Sequence, residues 1–375
     1  MKRFFFKLTI FLLPFLALFF IELYLLPIDF FTFRLWEALK IHSLKWALPG
    51  YFYPKMNVAK VEEGDLAPYT KLSIKKYVHW FTDKYGYRKK DMPPDTKHRI
   101  VIIGDSNIAG SGLTQDDTIS EVMEKKLNLS VYPISPGSIN TFLRDIRFLD
   151  NPPDIVIISS IEREIIALRT PKRELVKPQW YEKLLQKIEF KIKTNSIIQN
   201  IAMSIDRMLK WNLLHYYRAE LRRIVEKIFS TVKGLCSDTS IENNKSNIGS
   251  ILFLHGIEAN KEISENDFQR SVKIIKLYNE ILKMRGIRFI FLPIPNKENI
   301  YYDLLSINKK PEFLKNLINT LINMGIEVVD TQRAFDEAYQ KHGVLVFFPD
   351  DTHWNAQGVQ IAADLLIKQI KNFKK

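Results

Sequence analysis

Ile100-Val101-Ile102-Ile103-Gly104-Asp105-Ser106-Asn107 joins an unbroken β-branched run to a tight polar turn. A run that is apolar at every position is the pattern of a strand covered on both faces. Four more runs rich in apolar residues follow, at 131–134, 155–158, 289–292 and 326–329, the last interrupted by Glu327. Between them the hydrophobic period becomes helical, over 119–127, 268–283 and 312–323. Strands alternating with helices predict a three-layer α/β fold, a doubly wound parallel sheet with helices on both faces. Sites in such sheets lie beyond the carboxyl ends of the strands. The turn at 104–106 occupies one of those ends.

Composition sets wider bounds. A chain of 375 residues suggests about two units at roughly 150 residues each. With 46% apolar and 26% charged residues, it is neither mainly disordered nor fibrous. The net charge of +13 suits an anionic partner such as a membrane face, an acidic glycan or nucleic acid. Nucleic acid is disfavoured, because no zinc-finger spacing, helix-turn-helix signal or aromatic-interleaved basic groove is present. Cys236 stands alone, which excludes an intramolecular disulfide framework and a cysteine-rich metal site. No metal or other cofactor is expected. Residues 165–249 interrupt the alternation and read as a helical insertion: 180–233 is helix-patterned and rich in Lys and Arg, and 237–250 is polar. Its basic surface fits a polyanion, lipid headgroups or simple solvation.

The N-terminus carries the strongest compositional signal. Lys2, Arg3 and Lys7 precede an uncharged stretch at 8–21, and 23–26 resume it after Glu22. At about 1.5 Å per residue, residues 4–26 cross a hydrocarbon core of roughly 30 Å. A cleaved signal peptide would need small residues at its end, where Phe19, Phe20 and 23–26 are bulky. The reading is a single uncleaved anchor over 1–30, with the basic flank in the cytoplasm and the remaining chain outside. Lys40, Lys45 and Lys55 beyond the span pull against that orientation. Aromatic and basic residues mix over 30–48, as in a helix at the membrane interface or an ordinary stalk. Residues 31–78 are therefore expected as a membrane-proximal stalk, and 79–375 as the main domain carrying the insertion.

The chemistry sits at two distant places. Ser106, on a turn between a buried strand and a helix, is placed where a nucleophile can expose its hydroxyl to backbone N–H donors. Gly-Asp-Ser is also ordinary turn chemistry. It is not a phosphate loop, since no Gly-Lys-Ser/Thr follows. The second place is Pro349-Asp350-Asp351-Thr352-His353-Trp354-Asn355, before a final helix at 359–370. A serine nucleophile needs a base, and that base needs a carboxylate to fix its tautomer. Alone, a histidine before a helix also reads as structural.

Together the two elements resemble the SGNH/GDSL hydrolase superfamily. The resemblance is closer to its alginate O-acetyltransferase-like, membrane-linked branch of exopolysaccharide modification. Gly86-Tyr87-Arg88 before the first strand, Ser135-Pro136-Gly137-Ser138, Glu162-Arg163, and Asp351-Thr352-His353-Trp354 are similar to that branch. So is Pro295-Asn296-Lys297-Glu298-Asn299-Ile300-Tyr301, like its Pro-x-Lys-x-x-x-Tyr stretch. The similarity spans about 80–370 without the insertion. It implies Ser106 as nucleophile, His353 as base and Asp351 as its orienting acid, with Asp350 as rival. It also implies an oxyanion hole from the N–H groups of Ser106 and Gly137. The wider superfamily's third-block asparagine is missing from Ile158-Ser159-Ser160-Ile161-Glu162-Arg163. Ser160 or Arg163 would substitute, or the hole has two donors; one such donor is worth about 2.7–4 kcal/mol. Lys297 and Tyr301 would contact substrate or pack at the strand end, and Arg88 would bind a ligand or pair structurally. The implied function is acetyl transfer to an extracytoplasmic polysaccharide through an acyl-serine, with a multi-pass membrane acyltransferase as donor. An esterase using the same residues and an idle glycan-binding module are the alternatives.

Overall fold

The computed structural model describes residues 1–93, 96–210, 251–254, 262–305 and 310–372. It opens with α1 (Lys2–Tyr24) and the short α2 (Leu35–Leu39), followed by the antiparallel pair β1 (Asn57–Glu62) and β2 (Lys76–Phe81). β3 (Ile100–Ile103), α3 (Ser106–Ala109), α4 (Ile119–Leu127) and β4 (Val131–Ile134) come next. Then follow α5 (Ile139–Arg144), α6 (Ile146–Asp150), β5 (Ile155–Ile161) and α7 (Glu162–Ile165). The insertion contributes α8 (Trp180–Lys193) and α9 (Ser196–Lys210). Residues 211–249 of the expected insertion, including its polar stretch and Cys236, lie outside the described residues. The chain returns with α10 (Glu265–Met284), β6 (Arg288–Ile294), α11 (Lys297–Ile300), α12 (Phe313–Asn323), α13 (Thr331–His342) and α14 (Ala356–Asn372).

β3 to β6 form a parallel sheet in the order β4-β3-β5-β6. Alternate residues face opposite sides, as the strand period requires. Val101, Ile103, Val156, Ile158, Phe289 and Phe291 pack beneath α5, α10 and α12. Ile100, Ile102, Ile155, Ile157, Ile290 and Leu292 pack against α4, α13 and α14. Helices thus cover both faces, which explains why the strands carry apolar residues on both of them. The run at 326–329 forms no strand of its own: its backbone pairs with β6 as an isolated parallel bridge between Phe291 and Val328. Gly325, at φ +74°, turns the chain just before it, and Asp330 already caps α13 just after it.

The expected stalk needs correction. Leu35, Ala38, Leu39 and Phe52 are fully buried with Val78, Trp80 and Ala109 in one cluster, and Ile41, Leu48 and Tyr53 pack with Ala202 of α9. The aliphatic residues Leu35, Leu39, Ile41 and Leu48 form the packing face of this segment, while the aromatic Phe30 and Trp46 stay exposed. Residues 35–53 contain only the five-residue α2 and an isolated bridge between Lys40 and Phe52. α1 buries none of its residues and is long and apolar enough to cross a membrane.

Candidate active site

Ser106 is the first residue of α3, one turn beyond β3. Gly104 is required there because a Cβ would stand 2.4 Å from Ile108 Cγ1. Asp105 caps α3: its Oδ1 accepts the Asn107 N–H at 2.8 Å, while Oδ2 accepts the Ile161 N–H at 3.1 Å. One carboxylate therefore fixes the turn and ties it to the end of β5. In the order β4-β3-β5-β6, the chain passes from β3 to β4 on one side and then crosses to β5 on the other, so Ser106 stands at the switch point where α/β sheets open a crevice. Behind it, Arg88 is buried and donates to the carbonyls of Ala109 at 3.0 Å, Leu113 at 2.6 Å and Gly110, with its guanidinium 3.9 Å over Trp80. Arg88 thus supports the turn after α3 as a structural residue.

His353 arrives from the loop before α14. Its Nε2 lies 2.7 Å from Ser106 Oγ, and its Nδ1 lies 2.6 Å from Asp351 Oδ1. An ionised carboxylate only accepts, so Nδ1 carries the proton and Nε2 presents a lone pair to the serine hydroxyl. Asp351 is fully buried, and burial alone would push its pKa up. The adjacent His353, together with Lys76 and Arg34, outweighs burial and holds the carboxyl well below the usual carboxylate range. Lys76 Nζ stands 3.6 Å from Asp351 Oδ2. Asp350 turns away from the histidine: its Oδ2 accepts the N–H groups of Gly64 at 3.0 Å and Ile74 at 2.7 Å. A side chain at position 64 would collide with Asp350, its Cβ falling 2.1 Å from the Asp350 carbonyl oxygen.

Further residues hold this loop, and several escaped the sequence reading. Asp65 accepts from Thr352, at 2.9 Å from the N–H and 2.7 Å from the hydroxyl, and Arg34 braces it at 3.4 Å. Asn107 docks the loop onto α3: its carbonyl accepts the Trp354 indole N–H at 3.1 Å. Lys297 and Tyr301 belong to the same support. Lys297 Nζ is buried and donates to the carbonyls of Phe348 at 2.7 Å, Pro349 at 2.7 Å and Asp351 at 3.1 Å. Burial lowers its pKa to about 8. Tyr301 is fully buried, and its hydroxyl accepts the N–H groups of Val346 at 2.9 Å and Phe347 at 3.1 Å. Glu162, at the end of β5, accepts from the Asn296 N–H and from Asn299 Nδ2, each at 2.9 Å.

The expected oxyanion hole also changes. The Gly137 N–H donates to the Gly104 carbonyl at 2.9 Å, so it is already engaged and serves to hold the loop after β4 against the serine turn. Ser160 Oγ donates to the Ile161 carbonyl at 3.3 Å, and the Arg163 N–H to Asn296 Oδ1 at 3.3 Å. The Arg163 residue itself is half-buried at the end of β5. Beside the serine turn a cleft of about 490 Å³ is lined by Gly104, Asp105, Gly137, Ser159, Ser160 and Arg169, among others. Asp65, Asp351 and His353 bring three ligand-type atoms within 4.8 Å of one another. Their donor set suits a proton relay better than a metal: His353 Nδ1 is spent on Asp351, and Lys76 and Arg34 already supply positive charge to the carboxylates. The arrangement can polarise the Ser106 hydroxyl and hold a proton at His353.

Residues 252–375 match the family model described as SGNH hydrolase-like domain, acetyltransferase AlgX. That third of the chain contains Lys297, Tyr301, Asp351 and His353 but not Ser106. No curated protein matches the chain. Among solved structures, the chain is similar to a putative acylhydrolase from Bacteroides fragilis, at 12% identity over 76% of this chain and 91% of that one, with TM-score 0.34. A GDSL-like lipase from Bacteroides thetaiotaomicron shows 11% identity over 75% and 91%, with TM-score 0.32. A member of the lipolytic G-D-S-L family from Veillonella parvula shows 12% identity over 72% and 96%, with TM-score 0.35. The parallel sheet flanked by helices is consistent with an SGNH-like topology.

Proposed function

We propose that this chain is a serine O-acetyltransferase that works on a polysaccharide at the outer face of a cytoplasmic membrane, to which α1 anchors it. The observation that carries the reading is the hydrogen-bonded series from Asp351 through His353 to Ser106 at the carboxyl end of β3. The match of residues 252–375 to an acetyltransferase family model supports acetyl as the group transferred.

In the proposed cycle, Ser106 Oγ attacks the carbonyl carbon of an acetyl donor while His353 Nε2 takes the hydroxyl proton. Asp351 stabilises the imidazolium through Nδ1–H. The tetrahedral intermediate collapses, His353 returns the proton to the leaving oxygen, and acetyl remains on Ser106. A sugar hydroxyl then attacks the acyl-serine, His353 takes its proton, and that proton returns to Ser106 as the ester leaves. The Ser106 N–H, in the first turn of α3 where helix donors lack intrahelical partners, would hold the oxyanion. The Arg163 side chain is the proposed second donor, the backbone N–H of that residue alone being engaged. The donor would be presented by a multi-pass membrane acyltransferase, and no step requires a metal or a cofactor.

Intact-mass and peptide analysis of the full chain after incubation with an activated acetyl ester tests this. Acetyl trapped on Ser106, absent from Ser106→Ala and passed to added oligosaccharide rather than to water, is the expected result. Release of acetate with no transfer product would make the protein an esterase. Neither acyl-enzyme nor ester turnover would overturn the proposal.

A further inference from the structure

The two insertion helices turn their apolar side outward. On α9 the buried residues are Gln199, Ala202, Asp206 and Lys210, whereas Ile197, Ile201, Ile205, Met208 and Leu209 are exposed. The polar face is engaged by the body of the protein. Asp206 accepts the N–H groups of His42 at 2.8 Å, Ser43 at 2.6 Å and Leu44 at 2.7 Å, and the Tyr53 hydroxyl at 2.7 Å. Lys210 Nζ donates to the carbonyls of Ala38 at 2.8 Å and Lys40 at 3.2 Å, and Gln199 Nε2 to that of Lys84 at 2.8 Å. α8 buries none of its residues; Trp180, Leu184, Ile188 and Ile192 form an exposed stripe at a spacing of four, flanked by Tyr181 and Leu185. An exposed apolar surface of this extent marks a contact with a membrane or another protein.

The end of α1 decides between them. Arg207, on α9 between Asp206 and Met208, donates to the Leu23 carbonyl at 3.3 Å in the last turn of α1. A small cavity there joins Arg207 to Phe19, Glu22, Leu23, Pro27 and Phe31. The outward stripe of α9 therefore adjoins the point where the apolar helix ends. Exposed Lys191 on α8 suits anionic headgroups, beside Lys187, which pairs with Asp150 at 3.1 Å.

We infer that the α8–α9 pair lies in the headgroup region of the leaflet at the Leu23 end of α1, with its apolar stripes in lipid and the polar face of α9 bonded to residues 38–53. This rests on α1 crossing the membrane. Interfacial helices sink their apolar face about 5–10 Å into the boundary with the acyl chains. The bonds made by Asp206 and Lys210 tie that depth to the body carrying Ser106, so the active site would stand at a fixed height above the bilayer.

The test uses the full chain in a Cys236→Ser background, with an environment-sensitive fluorophore on a single cysteine: Leu185→Cys, Ile201→Cys, Leu16→Cys within α1, or Lys341→Cys on α13. Each is reconstituted in nanodiscs of phosphatidylethanolamine and phosphatidylglycerol containing lipids brominated near the upper or the lower end of the acyl chain. Unchanged thermal melting of each labelled chain shows that the fold survives. The expected result is strong quenching at 185 and 201 by upper-chain bromine, at 16 by lower-chain bromine, and none at 341. Quenching at 16 without quenching at 185 and 201 overturns the inference and leaves the anchor standing. Blue-shifted but unquenched emission at 185 and 201 overturns it in favour of a covering protein surface. No quenching at 16 overturns both readings.

Discussion

At the residue scale, the two neighbouring aspartates separate by direction. Asp351 meets the histidine and Asp350 meets the backbone of Gly64 and Ile74. Asp351→Asn keeps the shape but no longer fixes Nδ1–H, so acylation of Ser106 should fall by about 10⁴-fold. Asp350→Asn should act mainly on stability, lowering the melting temperature while most of the single-turnover acylation rate remains. The sequence placed both aspartates near His353 and could not rank them, because the choice depends on Gly64 and Ile74, more than 270 residues earlier. Glu162 gives a pH signature. Burial raises its pKa from 4.5 to about 7. Between those values the folded chain binds more protons than the unfolded one, so the contribution of Glu162 to stability declines as pH rises through that window. Glu162→Gln does not titrate; the melting temperature of the wild type relative to this variant should be higher at pH 5 than at pH 8. An unchanged difference would mean that Glu162 titrates near its ordinary value.

At the element scale, the loop before α14 is held from several directions: Asp65 from beyond β1, Lys297 from the start of α11, and Asn107 from α3. Asp65→Ala leaves Thr352 without its carboxylate partner and lets the ring of His353 drift. A displacement near 1 Å can cost about 10²-fold in rate. The expected effect is a fall in kcat of that order with the fold intact, measured on a small acetyl ester beside circular dichroism. The four strands of the parallel sheet were legible because each is apolar on both faces. β1 and β2 were not, since Asn57–Glu62 and Lys76–Phe81 mix polar and apolar residues and β1 is largely open to solvent. Asp65 carried no signal of its own, being one acidic residue in a polar turn; Gly64 beside it was the sole hint of a close approach. The engaged N–H of Gly137 was equally invisible, because a motif names a residue and leaves its hydrogen-bond partner unstated.

At the scale of the whole molecule, residues 31–78 are part of the working body. A chain starting at residue 27 keeps Arg34, Asp65 and Lys76 and should fold and acylate. One starting at residue 79 loses all three, together with the partners of Asp350, and should fail both by circular dichroism and by ester turnover. Composition made this segment resemble a tether because its aromatic residues suit an interface as well as a core, and only the packing of Phe52 on Trp80 separates the two. The long separation between Ser106 and His353 has a consequence in time. The two residues lie 247 positions apart. At about 5–20 residues per second, a ribosome needs roughly 12 to 50 s to travel from one codon to the other. On the proposed mechanism, the growing polypeptide carries throughout that interval a serine without its base, so an unfinished chain would be chemically silent until His353 emerges.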